Sequence, residues 1–113
     1  MPRFMTVTTW TPEQARALNL RYNELLSGTA PKAVIDGFAK FKLLATEISL
    51  ANRISFMLYE FDDEDSVAAS AVSMYFQEVC TQNSHPVLTL EDYVKVRELL
   101  PPEKMAKPDT PYK

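Results

Sequence analysis

The sequence contains one histidine, His85, which is the clearest candidate for proton transfer. An imidazole changes its charge close to neutral pH, which suits a general base and also a metal ligand. No second histidine and no nearby cysteine accompany it, so a transition-metal site would need carboxylates or a second chain. Pro86 follows directly and favours an extended backbone at His85. A structural role at the start of a strand is therefore the favoured alternative to catalysis.

Glu47 is the second candidate for catalysis, because it interrupts the mostly apolar run FKLLATEISL, residues 41–50. A carboxylate buried in such a strand needs a partner or retains its proton, and both are properties of a general base. If this strand lies at the edge of a sheet, Glu47 instead reaches water and discourages pairing between sheet edges. The edge position is the favoured interpretation.

Candidate substrate-binding residues lie on two other strand-like segments. Thr6, Thr8 and Trp10 alternate along one face of FMTVTTW, residues 4–10, and would give a pocket two hydroxyls and an apolar indole. Tyr59 would donate a phenolic hydrogen bond to a substrate. Packing at a dimer interface is the alternative for all four. The candidate site thus has His85 and Glu47 as catalytic residues, four substrate-binding residues and no metal.

Composition excludes several classes of protein. The 113 residues include 12 basic and 15 acidic ones without a basic cluster, which argues against nucleic acid as a partner. Cys80 is the only cysteine, so the chain forms no internal disulfide. Two glycines cannot build a phosphate-binding loop of the usual kind. Without a signal-like or membrane-spanning segment, we expect a cytoplasmic protein that needs no cofactor and does not contact a membrane.

Hydrophobic periodicity predicts the order β-α-β-β-α-β followed by one more helix. A capping box at Thr11-Pro12-Glu13-Gln14 begins the first helix and Gly28 ends it. Asn52 is expected to take a positive φ in the hairpin. One face of the second helix is expected to carry Val67, Ala71, Met74 or Tyr75, and Val79. The predicted ranges are strands 4–10, 41–50, 53–61 and 82–88, helices 12–27, 66–80 and 90–100, and a connection with one helical turn at 29–37.

This order predicts an α+β, ferredoxin-like domain over residues 1–100 and a proline-rich C-terminal tail over residues 101–113. The tail is expected to be extended, or to lie on a partner chain. Such a fold covers one face of its sheet with helices, yet the third strand is apolar on both faces. Ile54, Phe56 and Leu58 alternate with Ser55, Met57, Tyr59 and Phe61. We therefore expect a homodimer in which the two bare sheet faces cover each other.

Three segments also resemble the dimeric α/β-barrel superfamily, and within it a small-domain family of unknown function. These segments are FMTVTTW with its Thr-Pro-Glu helix start, the pair FKLLATEISL and RISFMLYEFDDEDS, and HPVLTLEDY, within residues 4–100. The superfamily includes cofactor-free monooxygenases, haem-degrading enzymes, lactone isomerases and chlorite-dismutase-like proteins. Its members often hold small molecules between sheet and helices, and the resemblance implies such a pocket here.

Two classes of function follow from these observations. The first is a protein that binds a small apolar or aromatic molecule between sheet and helices, with or without cofactor-independent monooxygenase or isomerase activity. The second is a non-catalytic interaction or assembly module, which uses the dimer and the proline-rich tail to contact another protein. An enclosed cavity with polar groups in its wall favours the first class, and a solidly packed sheet favours the second.

Overall fold

The computed structural model describes residues 2–62 and 66–99, and its elements follow the predicted order. The prediction for the tail at 101–113 lies outside the described residues. The strands and helices are β1 (Arg3–Thr9), α1 (Ala15–Ser27), α2 (Lys32–Phe38), β2 (Lys42–Ser49), β3 (Ile54–Glu60), α3 (Ser66–Gln77), β4 (Thr81–Pro86) and α4 (Leu90–Leu99).

The four strands form one antiparallel sheet in the order β2-β3-β1-β4. Phe4 of β1 pairs with Tyr59 of β3 and with Pro86 of β4. A register shift between Leu43 and Ala45 marks a bulge in β2. The chain is thus an α+β protein, and its antiparallel sheet with helices is consistent with a ferredoxin-like fold.

Local signals lie at both ends of helix α1, but the helix begins at Ala15, three residues after the predicted start at Pro12. The Thr11 N–H donates to Gln14 Oε1 at 3.0 Å, and the Gln14 N–H donates to Thr11 Oγ1 at 3.3 Å. These two bonds form the predicted capping box. At the other end Gly28 adopts φ 78°, and the Thr29 N–H donates to the Glu24 carbonyl at 2.9 Å. A left-handed glycine of this kind is a common helix stop.

Two local predictions were wrong in detail. The connection at 29–37 contains a seven-residue helix, because Pro31 precedes its first turn and Val34 and Gly37 are buried within it. In the hairpin the positive φ of 49° falls on Arg53. The side chain of Asn52 instead donates to Ser49 Oγ at 3.4 Å.

The buried face of α3 agrees with the prediction at Tyr75 and Val79 and differs from it elsewhere. Val72, Tyr75 and Phe76 are buried, whereas Val67 is 84 % exposed. This shift of about one residue around the helix turns the aromatic side chains inward, because helices α1 and α2 provide the apolar surface that α3 packs against.

The hydrophobic core lies mostly among the helices. Its buried members are Leu18, Ala30, Val34, Val72, Tyr75, Phe76 and Cys80. Helices α1 and α2 make their main helical contacts with α3, and α3 approaches the sheet at β4. The face of the sheet turned toward the helices is therefore only partly filled by helical side chains.

Candidate ligand-binding cavity

A cavity of about 810 Å³ lies between the helix-facing side of the sheet and helices α1 and α3. It falls within the range of about 300–1,000 Å³ that is usual for small-molecule sites. The sheet leaves this space because three inner-face positions on its two central strands carry small side chains. Thr6, Thr8 and Ser55 are all buried there, in positions where larger apolar side chains would fill the gap.

A row of three hydroxyl groups crosses the floor of the cavity from β3 through β1 to β4. Thr6 Oγ1 shares a hydrogen bond with Tyr59 Oη at 3.0 Å and another with Ser84 Oγ at 2.8 Å. Strand pairing produces this row, because Thr6 is in register with Ser84 and two residues along β1 from Phe4, the partner of Tyr59. We call Tyr59, Thr6 and Ser84 the hydroxyl row.

Two further polar pairs line the cavity beside the hydroxyl row. Gln82 Nε2 donates to Thr8 Oγ1 at 3.3 Å. On the helical wall, burial raises the pKa of the Tyr22 phenol, and a hydrogen bond with Ser55 partly offsets this rise. The Tyr22 phenol is therefore uncharged at neutral pH, and the hydroxyls of Tyr22 and Tyr59 both serve as hydrogen-bonding groups.

Aromatic rings form one end of the cavity. The ring of Tyr59 stacks on Phe41 at a centroid distance of 5.0 Å and on Phe4 at 5.9 Å. Phe41 also meets Phe61 edge to face at 4.6 Å. Rings at these separations form favourable aromatic pairs, and they hold the Tyr59 side chain in place.

The described residues that line the cavity include no aspartate, glutamate, lysine, arginine or histidine. Their polar groups are hydroxyls and amides, and the rest of the wall is aliphatic or aromatic. A charged ligand buried here would lose its water without gaining a counter-charge, which is costly. The cavity therefore favours an uncharged and largely apolar molecule.

A family model described as a domain of unknown function, DUF3303, matches residues 2–100. The chain belongs to this family. The resemblance to a small-domain family of unknown function agrees with this match. No curated protein matches the chain.

Three of the predicted substrate-binding residues of this DUF3303 domain lie together in the cavity. Thr6, Thr8 and Tyr59 all contribute to its wall, and the first and third are hydrogen-bonded. Trp10 was placed with them by the alternation of β1, but it is not a lining residue. The strand ends at Thr9, and the Trp10 side chain packs against the helical core.

The structure places His85 and Glu47 away from the cavity. His85 pairs with Met5, and Glu47 pairs with Phe56. Successive side chains in a strand point to opposite faces, so these residues lie on the face away from Thr6 and the helices. Both are exposed, and β2 is an edge strand, as the alternative interpretation of Glu47 required.

Several polar residues of the DUF3303 cavity did not emerge from the sequence, and Ser84 and Tyr22 illustrate why. Ser84 lies in TQNSHP, which has no apolar alternation, so only its pairing with Thr6 shows that it faces inward. Tyr22 recurs at helical spacing with Leu18 and looks like a core residue. The hydroxyl at the end of this side chain, on a helix face predicted to be buried, was the available signal that Tyr22 lines a cavity.

Within residues 2–62 and 66–99, no group of three or more histidine, cysteine, aspartate or glutamate side chains could hold a metal ion. In the same ranges, none of the helices is both long and apolar enough to cross a bilayer.

Proposed function

We propose that this DUF3303 domain binds a small, uncharged, apolar or aromatic molecule in the cavity between its sheet and its helices. The observation that carries the proposal is the composition of the cavity wall, in which aliphatic and aromatic side chains surround a few uncharged polar groups. This combination is typical of ligand sites, where apolar contact supplies affinity and a few polar groups set orientation.

The positions of the candidate catalytic residues favour ligand binding over catalysis as the function of the cavity. His85 and Glu47, the predicted catalytic residues, lie on the opposite face of the sheet. Among the described lining residues, Tyr22 and Tyr59 are the ones with a titratable group. A cofactor-independent monooxygenase or isomerase reaction, which the resemblance implies, would therefore have to proceed with phenols and hydroxyls alone.

A second part of the proposal concerns the other face of the sheet. Met5, Val7, Ile54, Phe56 and Leu58 lie there by strand alternation, and Phe56 is 41 % exposed. We propose that two copies of the chain cover this face together and form a dimeric α/β barrel from ferredoxin-like domains. The exposed apolar face supports this arrangement, because contiguous apolar surface of this kind commonly marks an interface.

An assembly module remains the second candidate function, and the same exposed face favours it. A homodimer is compatible with both candidate functions, whereas a ligand in the cavity would support small-molecule binding only. The proline-rich tail, through which a protein partner was predicted to bind, lies outside the described residues.

Native mass spectrometry of the freshly purified protein tests the binding function. We expect an added mass of a few hundred daltons, on the order of a drug-sized ligand, that is lost on denaturation. The purified protein should also bind N-phenyl-1-naphthylamine, a neutral apolar fluorescent probe, with increased fluorescence. Absence of both signals would contradict the proposal.

A matched pair of variants on α3 locates the probe. Ser70 is an exposed residue of the cavity wall, and Ser70→Phe places a ring in the cavity mouth. Met74 is one helical turn away, 66 % exposed, and is not a lining residue. We expect Ser70→Phe to weaken probe binding by about tenfold or more and Met74→Phe to leave it unchanged. Equal effects would place the probe elsewhere.

A further inference from the structure

The hydroxyl row has one more proton than its internal hydrogen bonds use. Tyr59, Thr6 and Ser84 each carry one O–H donor, and two hydrogen bonds join them. Each bond uses one proton, so one O–H donor is left over in the row. No other hydrogen bond joins these three hydroxyls to a described residue. The row can therefore donate one hydrogen bond to a ligand in the cavity.

Burial indicates which end of the row makes that donation. Ser84 is exposed, so its hydroxyl can exchange hydrogen bonds with water, whereas Tyr59 is 7 % exposed. A phenol is also more acidic than an aliphatic alcohol and is the stronger donor. With Ser84 donating to Thr6 and Thr6 donating to Tyr59, each bond strengthens the next. The phenolic proton of Tyr59 is then directed away from Thr6.

The surroundings of Tyr59 restrict what can accept this proton. Phe4 and Phe41 stack on its ring, so a molecule that reaches the hydroxyl also meets aromatic surface. The cavity wall supplies no charged partner for a carboxylate or a phosphate among its described residues. The acceptor is therefore an oxygen that stays uncharged, as in a ketone or a quinone.

Resting on the proposed function, we propose that the ligand is a neutral aromatic molecule with a carbonyl oxygen, and that this oxygen accepts a hydrogen bond from the Tyr59 hydroxyl. Apolar contact holds the rings, and the hydroxyl row selects the carbonyl compound from hydrocarbons of the same shape. Tyr59 is the selecting residue, and Thr6 and Ser84 orient its proton.

Benzophenone and diphenylmethane form a suitable pair of probes, because they share two phenyl rings and differ in the carbonyl group. Each is titrated against the complex of the purified protein with N-phenyl-1-naphthylamine. We expect benzophenone to displace the probe at a concentration about tenfold lower than diphenylmethane, the size of effect that one net hydrogen bond gives.

Two variants that each remove one phenolic oxygen identify the donor. Tyr59→Phe should abolish the preference for the ketone and leave the affinity for diphenylmethane unchanged. Tyr22→Phe removes a phenol from the opposite wall of the same cavity and should retain the preference. Loss of the preference in Tyr22→Phe, with retention in Tyr59→Phe, would overturn the assignment.

An infrared measurement on the wild-type protein keeps the test independent of variant folding. The carbonyl stretch of bound benzophenone should lie at lower wavenumber than in a hydrocarbon solvent, because the oxygen accepts a hydrogen bond. An unshifted band, or equal affinity for the two compounds, would overturn this inference while the proposed binding function stands. No binding of the probe, together with no added mass in native mass spectrometry, would overturn the binding function.

Discussion

The hydroxyls of Thr6 and Tyr59 share a hydrogen bond of 3.0 Å across strands β1 and β3, and both residues are buried. Thr6→Val keeps the shape of the side chain and removes this partner. We expect the free energy of unfolding to fall by about 1–3 kcal/mol, the usual cost of leaving a buried polar group unpaired. Urea denaturation followed by circular dichroism measures the change.

A double-mutant cycle separates this bond from other effects of the substitution. In the Thr6→Val background the Tyr59 hydroxyl has already lost its partner, so the further change Tyr59→Phe should cost less than it does in the wild-type protein. Strictly additive effects would mean that the two hydroxyls do not stabilise each other.

The two glycines of the chain predict opposite responses to asparagine. A Cβ at Gly37 would lie 2.7 Å from the backbone oxygen of Ala68, so any side chain there separates α2 from α3. Gly28 has φ 78° and nothing within 4 Å of a Cβ. Asparagine tolerates this left-handed conformation, whereas alanine does not.

Gly37→Ala and Gly37→Asn are therefore both expected to lower the free energy of unfolding by about 1–3 kcal/mol. At position 28 alanine should cost about 1 kcal/mol and asparagine clearly less. Thermal or urea unfolding of the four variants makes the comparison. An asparagine at position 37 that is tolerated as well as one at position 28 would contradict the close contact between the helices.

Cys80 is expected to be chemically inert in the folded protein. It is buried, its thiol donates to the Phe76 carbonyl at 3.1 Å, and burial raises the pKa of the thiol from 9.0 to about 11. Thiolate is the reactive form, so at pH 8 the thiol should react with an aromatic disulfide reagent far more slowly than in urea. Equal rates in the two conditions would contradict its burial.

The same thiol predicts a dependence of stability on pH. Between pH 9 and pH 11 the folded chain holds the Cys80 proton while the unfolded chain releases it, so the free energy of unfolding falls as the pH rises through this range. Cys80→Ala should show a shallower fall. The variant still contains Tyr22, whose raised pKa keeps part of the slope. An unchanged slope would contradict the prediction.

The sequence predicted the elements better than it predicted the site, and strand pairing explains the difference. Alternation in β1 and β3 was visible because β-branched and aromatic residues mark it. This alternation correctly placed Phe56 on one face of the sheet and Met57 and Tyr59 on the other. In β4 every residue of TQNSHP is polar or proline, so nothing in the sequence shows which side chains face inward. The pairing of Thr6 with Ser84 decides it.

The two candidate catalytic residues are each one strand position away from a residue that lines the cavity. His85 follows Ser84 directly, and a shift of one residue moves a side chain from one face of a sheet to the other. Glu47 likewise follows Thr46 directly and faces the other side of the sheet, and it is Thr46 that lines the cavity. The bulge between Leu43 and Ala45 also changes the alternation of β2, and no residue type in that run predicts a bulge.

Phe56→Asp tests the proposed dimer, because it places a charge among the apolar residues of the bare sheet face. We expect light scattering to give a dimeric mass for the wild-type chain and a monomeric mass for this variant. Val67→Asp is the control, since Val67 is 84 % exposed on helix α3 and does not line the cavity. This variant should remain dimeric, and a monomeric wild-type chain would contradict the proposal.

His85 and Ser84 are neighbours in β4 and face opposite sides of the sheet. Substitutions of Ser84 should therefore change the affinity for a ligand in the cavity, and substitutions of His85 should not. His85→Ala should leave the affinity for N-phenyl-1-naphthylamine unchanged, because its partner in the register is Met5 on the face away from the cavity. Ser84→Phe places a ring beside Thr6 and should weaken binding by about tenfold or more. Glu47→Gln, on the far edge strand, should behave like His85→Ala. A tenfold loss in either of these two variants, with an unchanged melting temperature, would mean that the candidate residue does act on the ligand.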